Sequence, residues 1–482
     1  MIERGGSIAR PPVRNVIFKS RAYDGVHNGI AFGYGGTGTL WGGQLLPMLD
    51  SELTALGDPW HDEKFADVLL QHYRTIESWV GVNLSPYAAS LLEQLDHYAR
   101  HLNWGPITPI FSKWIPFRRR NLGSAWMRLL RRSGKVRVFL HLQPVAWGFD
   151  AEDKNTIRSV TCSSQNKQSV KFKAEHFVIA AGALESPLIL QKMLGDDTAN
   201  QLGVGQTLHD HLSLRVAELT NCRRQEFEKL FAPFFTGDTM RSIRLCLADE
   251  QTSHSAPLGW AYCHFVIEAP PTSGFAMARD FLRGLQAKDY TKAAKALLNL
   301  PSAVGDIARM AWMRYVHRRL SLSKGSRIFV NIDFVQSPLT SNRIYSKASA
   351  NSVQIEVDWN ISEDIRGQVS RALSALTSFW EANRLNEIGA IEPISCGSDD
   401  EQALDNLYDI YHPAGTCAMG RVVDSDLRIF GVSNGYVVGS SVFPMLGRSN
   451  PTLTIMALSL RLGQSITSSL ETGNKSGLAR TR

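Results

Sequence analysis

Cysteine is scarce in this 482-residue chain. The six that occur (Cys162, Cys222, Cys246, Cys263, Cys396 and Cys417) stand far apart, with no Cys-x-x-Cys pair and no Cys/His cluster at zinc spacing. No metal site is expected. A reduced compartment fits this usage best, with a single disulfide still open. No uninterrupted apolar run reaches the roughly 18 residues of a membrane span. The opening Met-Ile-Glu-Arg-Gly-Gly has none of the apolar core of a signal peptide, so the expected location is cytoplasmic. Internal repeats and low-complexity tracts are also missing.

Charge of one sign is not concentrated in any obvious nucleic-acid module. The net charge is +7, but basic residues are scattered, with local clusters at Arg118 to Arg120, Arg131-Arg132 and Arg314 to Arg319. None is interleaved with aromatics as a nucleic-acid module would be, so they read as solvated faces and no nucleic acid is expected as a partner. What the chain does have is length and an ordinary core composition, 44% hydrophobic and 20% charged. That is enough for two domains with large cores.

Chemistry gathers near the C-terminal end. Tyr411-His412-Pro413-Ala414-Gly415-Thr416 precedes Gly435-Tyr436-Val437-Val438-Gly439-Ser440-Ser441, and Asn450-Pro451-Thr452 follows. Imidazole titrates near neutrality, which makes His412 a candidate general base, and Asn450 can hold an oxygen without adding charge. The pair suits oxidation of an alcohol. His209 and His211 flank Asp210. In an extended segment an i, i+2 pair points to opposite faces, so one metal cannot readily take both, and the two read as structural residues near a domain junction.

Glycine crowds residues 25 to 48, including Gly33, Gly35, Gly36, Gly38, Gly42 and Gly43, which implies backbone running close to something bulky. The apolar run Glu175 to Gly182 reads as a parallel strand buried on both faces. Ser186 and Pro187 follow as the N-cap and first position of a helix. Strand, turn and helix start together make a ligand position at the carboxyl end of a parallel sheet. A short helix from Arg128 stops at Gly134, with strands expected at Val136 to Leu140 and around Val145. Farther along, Leu258 to Ile267, Arg327 to Val335 and Val353 to Trp359 alternate as antiparallel strands. A helix from Glu363 to about Asn383, capped by Ser362, sets Ile365, Val369, Leu373, Leu376 and Trp380 on one face. Residues 275–322 form a basic helical insertion for which packing against the second domain is the leading reading. Cover of a substrate channel and peripheral contact with a membrane surface are the alternatives.

With these motifs in place the chain resembles the glucose-methanol-choline (GMC) family of FAD-dependent oxidoreductases. Gly35 to Gly43 is similar to the family's loop along the flavin, in the Trp-Gly-Gly form of the sugar dehydrogenase branches. Ala180 to Leu190 resembles the second family signature, and Leu202 to His211 the segment after it; the C-terminal block is the most specific. The resemblance implies an α/β FAD-binding domain, Rossmann-like and of GMC type, in residues 1–205 and 401–482. It implies an α+β substrate domain with an antiparallel sheet in residues 206–400, carrying the insertion. FAD is the implied cofactor, and a small alcohol, a sugar or a sugar-linked hydroxyl the substrate; the electron acceptor is left unknown. By the same resemblance His412 takes the alcohol proton as a hydride moves to flavin N5, and Asn450 bonds the substrate oxygen as it becomes alkoxide-like. The implied flavin contacts are Glu3, Thr37, Trp41, Gly42, Gly43, Val145, Ala181, Gly182, Gly439, Ser440, Asn450 and Thr452.

Two departures stand out. Many members carry an Asp where this chain has Gly439, and the following Ser440-Ser441 again resembles sugar-oxidising branches. The family also opens with a strand, a Gly-x-Gly-x-x-Gly turn and a helix that hold the FAD pyrophosphate. No such stretch precedes Met1, and Ile2-Glu3-Arg4-Gly5 resembles the end of the second strand, with Glu3 on the adenosine ribose. About 30 residues of the first βαβ unit are expected upstream, through a start codon placed too far downstream. A truncated gene product or a second polypeptide supplying the unit are the alternatives, and any targeting segment would lie there too. A non-catalytic pseudoenzyme or binding subunit and a flavin-dependent lyase are the competing functions.

Overall fold

A nine-stranded sheet, antiparallel throughout, is the frame on which the candidate site is hung. The computed structural model describes residues 1–87, 91, 101–105, 107–164, 166–247, 260–287, 289–299, 304–349, 352–394 and 406–479. Cys396 and the first two residues of the strand expected from Leu258 lie outside that set. The main path of the sheet runs Ala390–Pro393, His211–Thr220, Arg327–Val335, Ala261–Glu268, Thr239–Leu247, Ile107–Trp114, Gln44–Leu45. Tyr408–Asp409 adds to the edge of His211–Thr220.

The Arg327–Val335 strand is buried at all but its first position, so its apolar run serves both faces of the sheet. One face is covered by the Asp364–Ala382 helix, whose Ile365, Ala372, Leu376, Phe379 and Trp380 are buried. Trp380 Nε1 donates to Gly389 O at 2.9 Å, which satisfies the indole at the helix end. Ser362 is not the cap expected of it: the helix begins after Glu363, and no side chain caps it.

Three smaller sheets complete the strands. Leu142–Phe149, Ile157–Ser164 and Ser169–Lys173 form an antiparallel meander. Val16–Phe18 pairs parallel with Ser352–Asp358, which pairs with Arg343–Ser349. Phe177–Ile179 and Gly435–Val437 form a two-stranded parallel pair from opposite ends of the chain. Val178 on that pair is 45% exposed, so the expected burial on both faces is not met. Val136 to Leu140 contributes only an isolated parallel bridge, Phe139 to Ile2, rather than a strand.

The helix after the parallel strand also differs from expectation. It begins at Gly182, not at Pro187, and runs to Leu194 with Pro187 inside it. Proline there cannot donate to the carbonyl of Ala183. Thr416 Oγ1 donates to that carbonyl instead, at 2.6 Å, so the hydroxyl of a distant segment repairs the missing rung.

Candidate active site

His412 reaches His211, 201 residues away, because their segments run side by side. Tyr408 and Asp409 pair with Ser213 and Leu212, and Ala414 N donates to His209 O at 2.9 Å. Between them lies the fully buried Asp210. Its Oδ1 accepts from the backbone N–H of His211 and of His412 at 2.7 Å each, and its Oδ2 accepts from the Tyr23 hydroxyl at 2.7 Å. One carboxyl group thus sets the main-chain position of both histidines. Burial pushes that carboxyl up to about 8, against the pull of its three donors. Tyr411 takes φ 66°, left-handed for a residue with a side chain. Such backbone strain, about 1–3 kcal/mol, persists only where the surroundings over-determine it.

The hydrogen bonds fix how the two imidazoles carry their protons. His211 Nε2 lies 2.7 Å from Gly447 O, which can only accept, so His211 is protonated on Nε2. Its Nδ1 is then a lone pair, 3.0 Å from His412 Nδ1, with the rings at 86°. The shared proton therefore sits on His412 Nδ1, and His412 Nε2 is left as a lone pair, the form a proton acceptor needs. Burial lowers His412 to about 3, with the neighbouring His211 and Arg244 adding to it, and burial lowers His211 to about 4. Both rings are neutral at physiological pH.

Gly447 is itself held. Buried Glu52 accepts from Arg448 N at 2.6 Å and Arg448 Nε at 3.1 Å through Oε1, and from Leu49 N at 2.8 Å through Oε2. A Cβ on Gly447 would stand 2.7 Å from Glu52 Oε2, so the carboxylate can pack here only against glycine. Asn450 is oriented from the sheet side. Arg244 Nη2 donates to Asn450 Oδ1 and, at 2.8 Å, to Gln44 Oε1, while Nη1 donates to Arg448 O at 3.2 Å. With Oδ1 so occupied, Asn450 offers its Nδ2 donor.

Two glycines meet at the carboxyl ends of the parallel pair. Gly182 (φ 76°) and Gly439 (φ 138°) face each other there: a Cβ on Gly439 would lie 3.8 Å from Gly182 Cα, and one on Gly182 would meet nothing within 4 Å. Ala181 precedes the helix start, and Ser440 Oγ donates to Pro413 O at 2.6 Å, tying this segment to the His412 loop. Thr452 opens the Thr452–Ala479 helix just after Asn450, where the helix dipole is positive.

The remaining sequence candidates sit elsewhere. Thr37, Trp41, Gly42 and Gly43 lie in or next to the short Gly36–Thr39 helical turn; Trp41 Nε1 donates to Arg120 O at 2.7 Å. Part of the glycine density is chain-on-chain packing: a Cβ on Gly33 or Gly35 would meet the backbone of Ala9 at 2.5 Å or of Gly123 at 2.6 Å. Glu3 Oε1 accepts from Gly5 N at 2.8 Å and Gly33 N at 2.9 Å, so it pins this segment to the N-terminal one. Val145 stands exposed on the Leu142–Phe149 strand. Neither Glu3 nor Val145 belongs to the His412 network.

Sequence reasoning gave Arg244, Glu52 and Gly447 no role and read His211, beside Asp210, as structural only. His209 does hold a structural post, with Nδ1 donating to Thr207 O at 2.7 Å and Nε2 accepting from Leu446 N at 3.1 Å. The alternation that sends His209 and His211 to opposite sides is the signal that one of them faces something else. Arg244, one of two arginines in the Thr239–Leu247 strand, carried no signal.

Sequence profiles of the GMC oxidoreductase family match residues 127–213 and 338–459. Over 404 residues the chain is 24% identical to Dehydrogenase pkfF of Emericella nidulans, covering 78% of this chain and 62% of that protein. It thus spans less than two thirds of that relative. A 57-residue stretch is 40% identical to the putative truncated GMC-type inactive oxidoreductase R833 of Acanthamoeba polyphaga mimivirus, covering 12% of this chain and 70% of that one. Among solved structures, pyridoxine 4-oxidase from Mesorbium loti shares the fold with a TM-score of 0.55 at 16% identity, over 96% of this chain and 93% of that one.

Proposed function

Because the chain belongs to the GMC oxidoreductase family of FAD-dependent enzymes, we propose that it oxidises the CH–OH group of a small alcohol, with His412 as base and Asn450 as oxygen donor. The observation that carries this reading is the hydrogen-bond chain from Gly447 O through His211 to His412, which leaves His412 Nε2 unprotonated.

The residues present fit a flavin: Gly182 and Gly439 put no side chain at the carboxyl ends of the parallel pair, where a Cβ on Gly182 would meet nothing within 4 Å. Ala181, Gly182, Gly439, Ser440 and Thr452 would hold it. FAD, when bound, supplies the two-electron acceptor. His412 Nε2 takes the hydroxyl proton. Asn450 Nδ2 donates to the substrate oxygen and strengthens as negative charge grows on it. A positioned base contributes about 10²- to 10⁴-fold in rate. Trp41-Gly42-Gly43 and Gly439-Ser440-Ser441 favour a sugar or sugar-linked hydroxyl as substrate.

The test is anaerobic bleaching of the bound flavin by a panel of sugars and aryl alcohols. His412→Ala should slow flavin reduction far more than it weakens substrate binding, and an unchanged reduction rate would refute the base assignment. A second reading, flavin binding without turnover, is favoured by the likeness to R833, whose name calls it inactive. Stabilisation by FAD in thermal shift, with no alcohol bleaching the flavin of the unsubstituted protein, would establish it in place of the first.

A further inference from the structure

Basic residues are spread along the chain, but the excess of them is not. Residues 275–322 hold nine Lys and Arg against three Asp and Glu, a balance of +6 in a chain of +7. The described parts of this segment form three helices, Gly274–Ala287, Tyr290–Asn299 and Val304–Tyr315.

Packing of the insertion's apolar faces against the second domain, the leading expectation, is not what the last two helices do. Tyr290, Ala294, Leu297 and Leu298 recur at i, i+4, i+7 and i+8, and all four are exposed. On the next helix Val304, Ala308, Ala311, Trp312 and Tyr315 follow the same period and are likewise exposed. Leu298 is 79% exposed, Tyr315 78% and Trp312 60%. Stripes of this spacing ordinarily face a core. Here Ala293 points inward instead, and the leucines, tyrosines and tryptophan point out. Exposed apolar stripes of this kind mark an interaction site.

We propose that this face docks on the surface of an anionic lipid bilayer. A second copy of the chain is a poor occupant, because a two-fold contact through these helices sets one basic segment against another. An anionic bilayer meets both demands at once: it neutralises Arg and Lys and takes up the apolar stripes at the headgroup boundary. Trp312 and Tyr315 suit that boundary, where amphipathic rings collect. No helix among the described residues is long and apolar enough to cross a membrane, so the helices lie on it. A cleft of about 670 Å³ opens beside the last stripe, with Lys229, Phe234, Phe235, Arg309, Trp312 and Arg318 in its wall. Guanidinium groups and rings together fit a lipid phosphate and the first methylenes below it. The one carboxylate there, Glu228, is already engaged: it accepts from Leu322 N at 2.7 Å and pairs with Arg309 at 3.3 Å.

This inference goes beyond the proposed reaction and is tested without it. The intact protein is floated with phosphatidylcholine vesicles, with and without phosphatidylglycerol. It should rise only with the anionic vesicles and release as salt shortens the screening length. Leu297→Ser with Leu298→Ser, and separately Arg314→Glu with Arg318→Glu, should each weaken vesicle binding about tenfold or more at an unchanged melting temperature. Failure to float with anionic vesicles at low salt, equal binding to neutral vesicles, or binding indifferent to both pairs of substitutions overturns the proposal. So does concentration-dependent dimerisation abolished by the serine pair in a protein that ignores vesicles.

Discussion

Replacing His211 by leucine removes the acceptor that keeps the proton on His412 Nδ1 and leaves that N–H buried without a partner. The side chain's bulk is roughly kept, so the losses are the 2.7 Å bond to Gly447 O and the bond to His412 at 3.0 Å, and with the latter the preference for a lone pair on Nε2. An unsatisfied buried donor costs about 1–3 kcal/mol, equivalent to about 5- to 150-fold if it is expressed in the barrier. The loss should fall on kcat, measured as anaerobic flavin reduction, with KM little changed, because His211 reaches the substrate only through His412. His211→Asn, whose Oδ1 can accept where Nδ1 did, should recover part of the rate. A ring-nitrogen ¹⁵N spectrum gives a readout free of turnover: His412 should show a protonated Nδ1 and a bare Nε2, and His211 the reverse. A proton on His412 Nε2 in the unsubstituted protein, or an undiminished rate in His211→Leu, would refute the argument.

The same buried groups predict a pH profile of stability. His209 and His211 are lowered to about 4 and His412 to about 3, so the unfolded chain binds their protons first; their contribution is full above about pH 6.5 and is lost as the pH falls toward those values. Asp210, raised to about 8, and Asp409, raised to about 6, work the other way: each is protonated in the fold where the unfolded chain is charged, and its contribution fades as pH rises through those values. Melting temperature should therefore peak near about pH 7, and Asp210→Asn should flatten the alkaline side. A profile still climbing through pH 8 would contradict the Asp210 assignment. Thr416→Val leaves the Ala183 carbonyl opposite Pro187 without its donor, at a cost of about 1–3 kcal/mol visible in denaturant melts. A wild-type midpoint would show that the hydroxyl is dispensable.

His412 and Asn450 were legible because each lies in a contiguous motif whose residue types state their chemistry. The bond from His412 to His211 was not, because it depends on the pairing of Tyr408 and Asp409 with a strand some two hundred residues earlier. Helix boundaries failed where a tertiary contact overrode the local rule. Pro187 reads as a first-turn residue until Thr416 supplies the missing donor, and Ser362 reads as a cap until the helix starts beyond it. The strands Arg327–Val335 and Ser352–Asp358 were plain from their alternation. For the insertion, its basic helical character was legible but not which way its apolar residues are turned, since direction belongs to packing rather than to sequence.

The protonation state of the candidate base traces back to a main-chain carbonyl, that of Gly447. A carbonyl is common to all twenty residue types, so no point substitution can delete this acceptor; substitutions at Glu52, Arg448 or Gly447 can only move it. Mutational damage to the base from this direction should accordingly be graded in distance and rate rather than all-or-none. A screen for loss of function would find His211 readily and find the atom that instructs it only through its displacement.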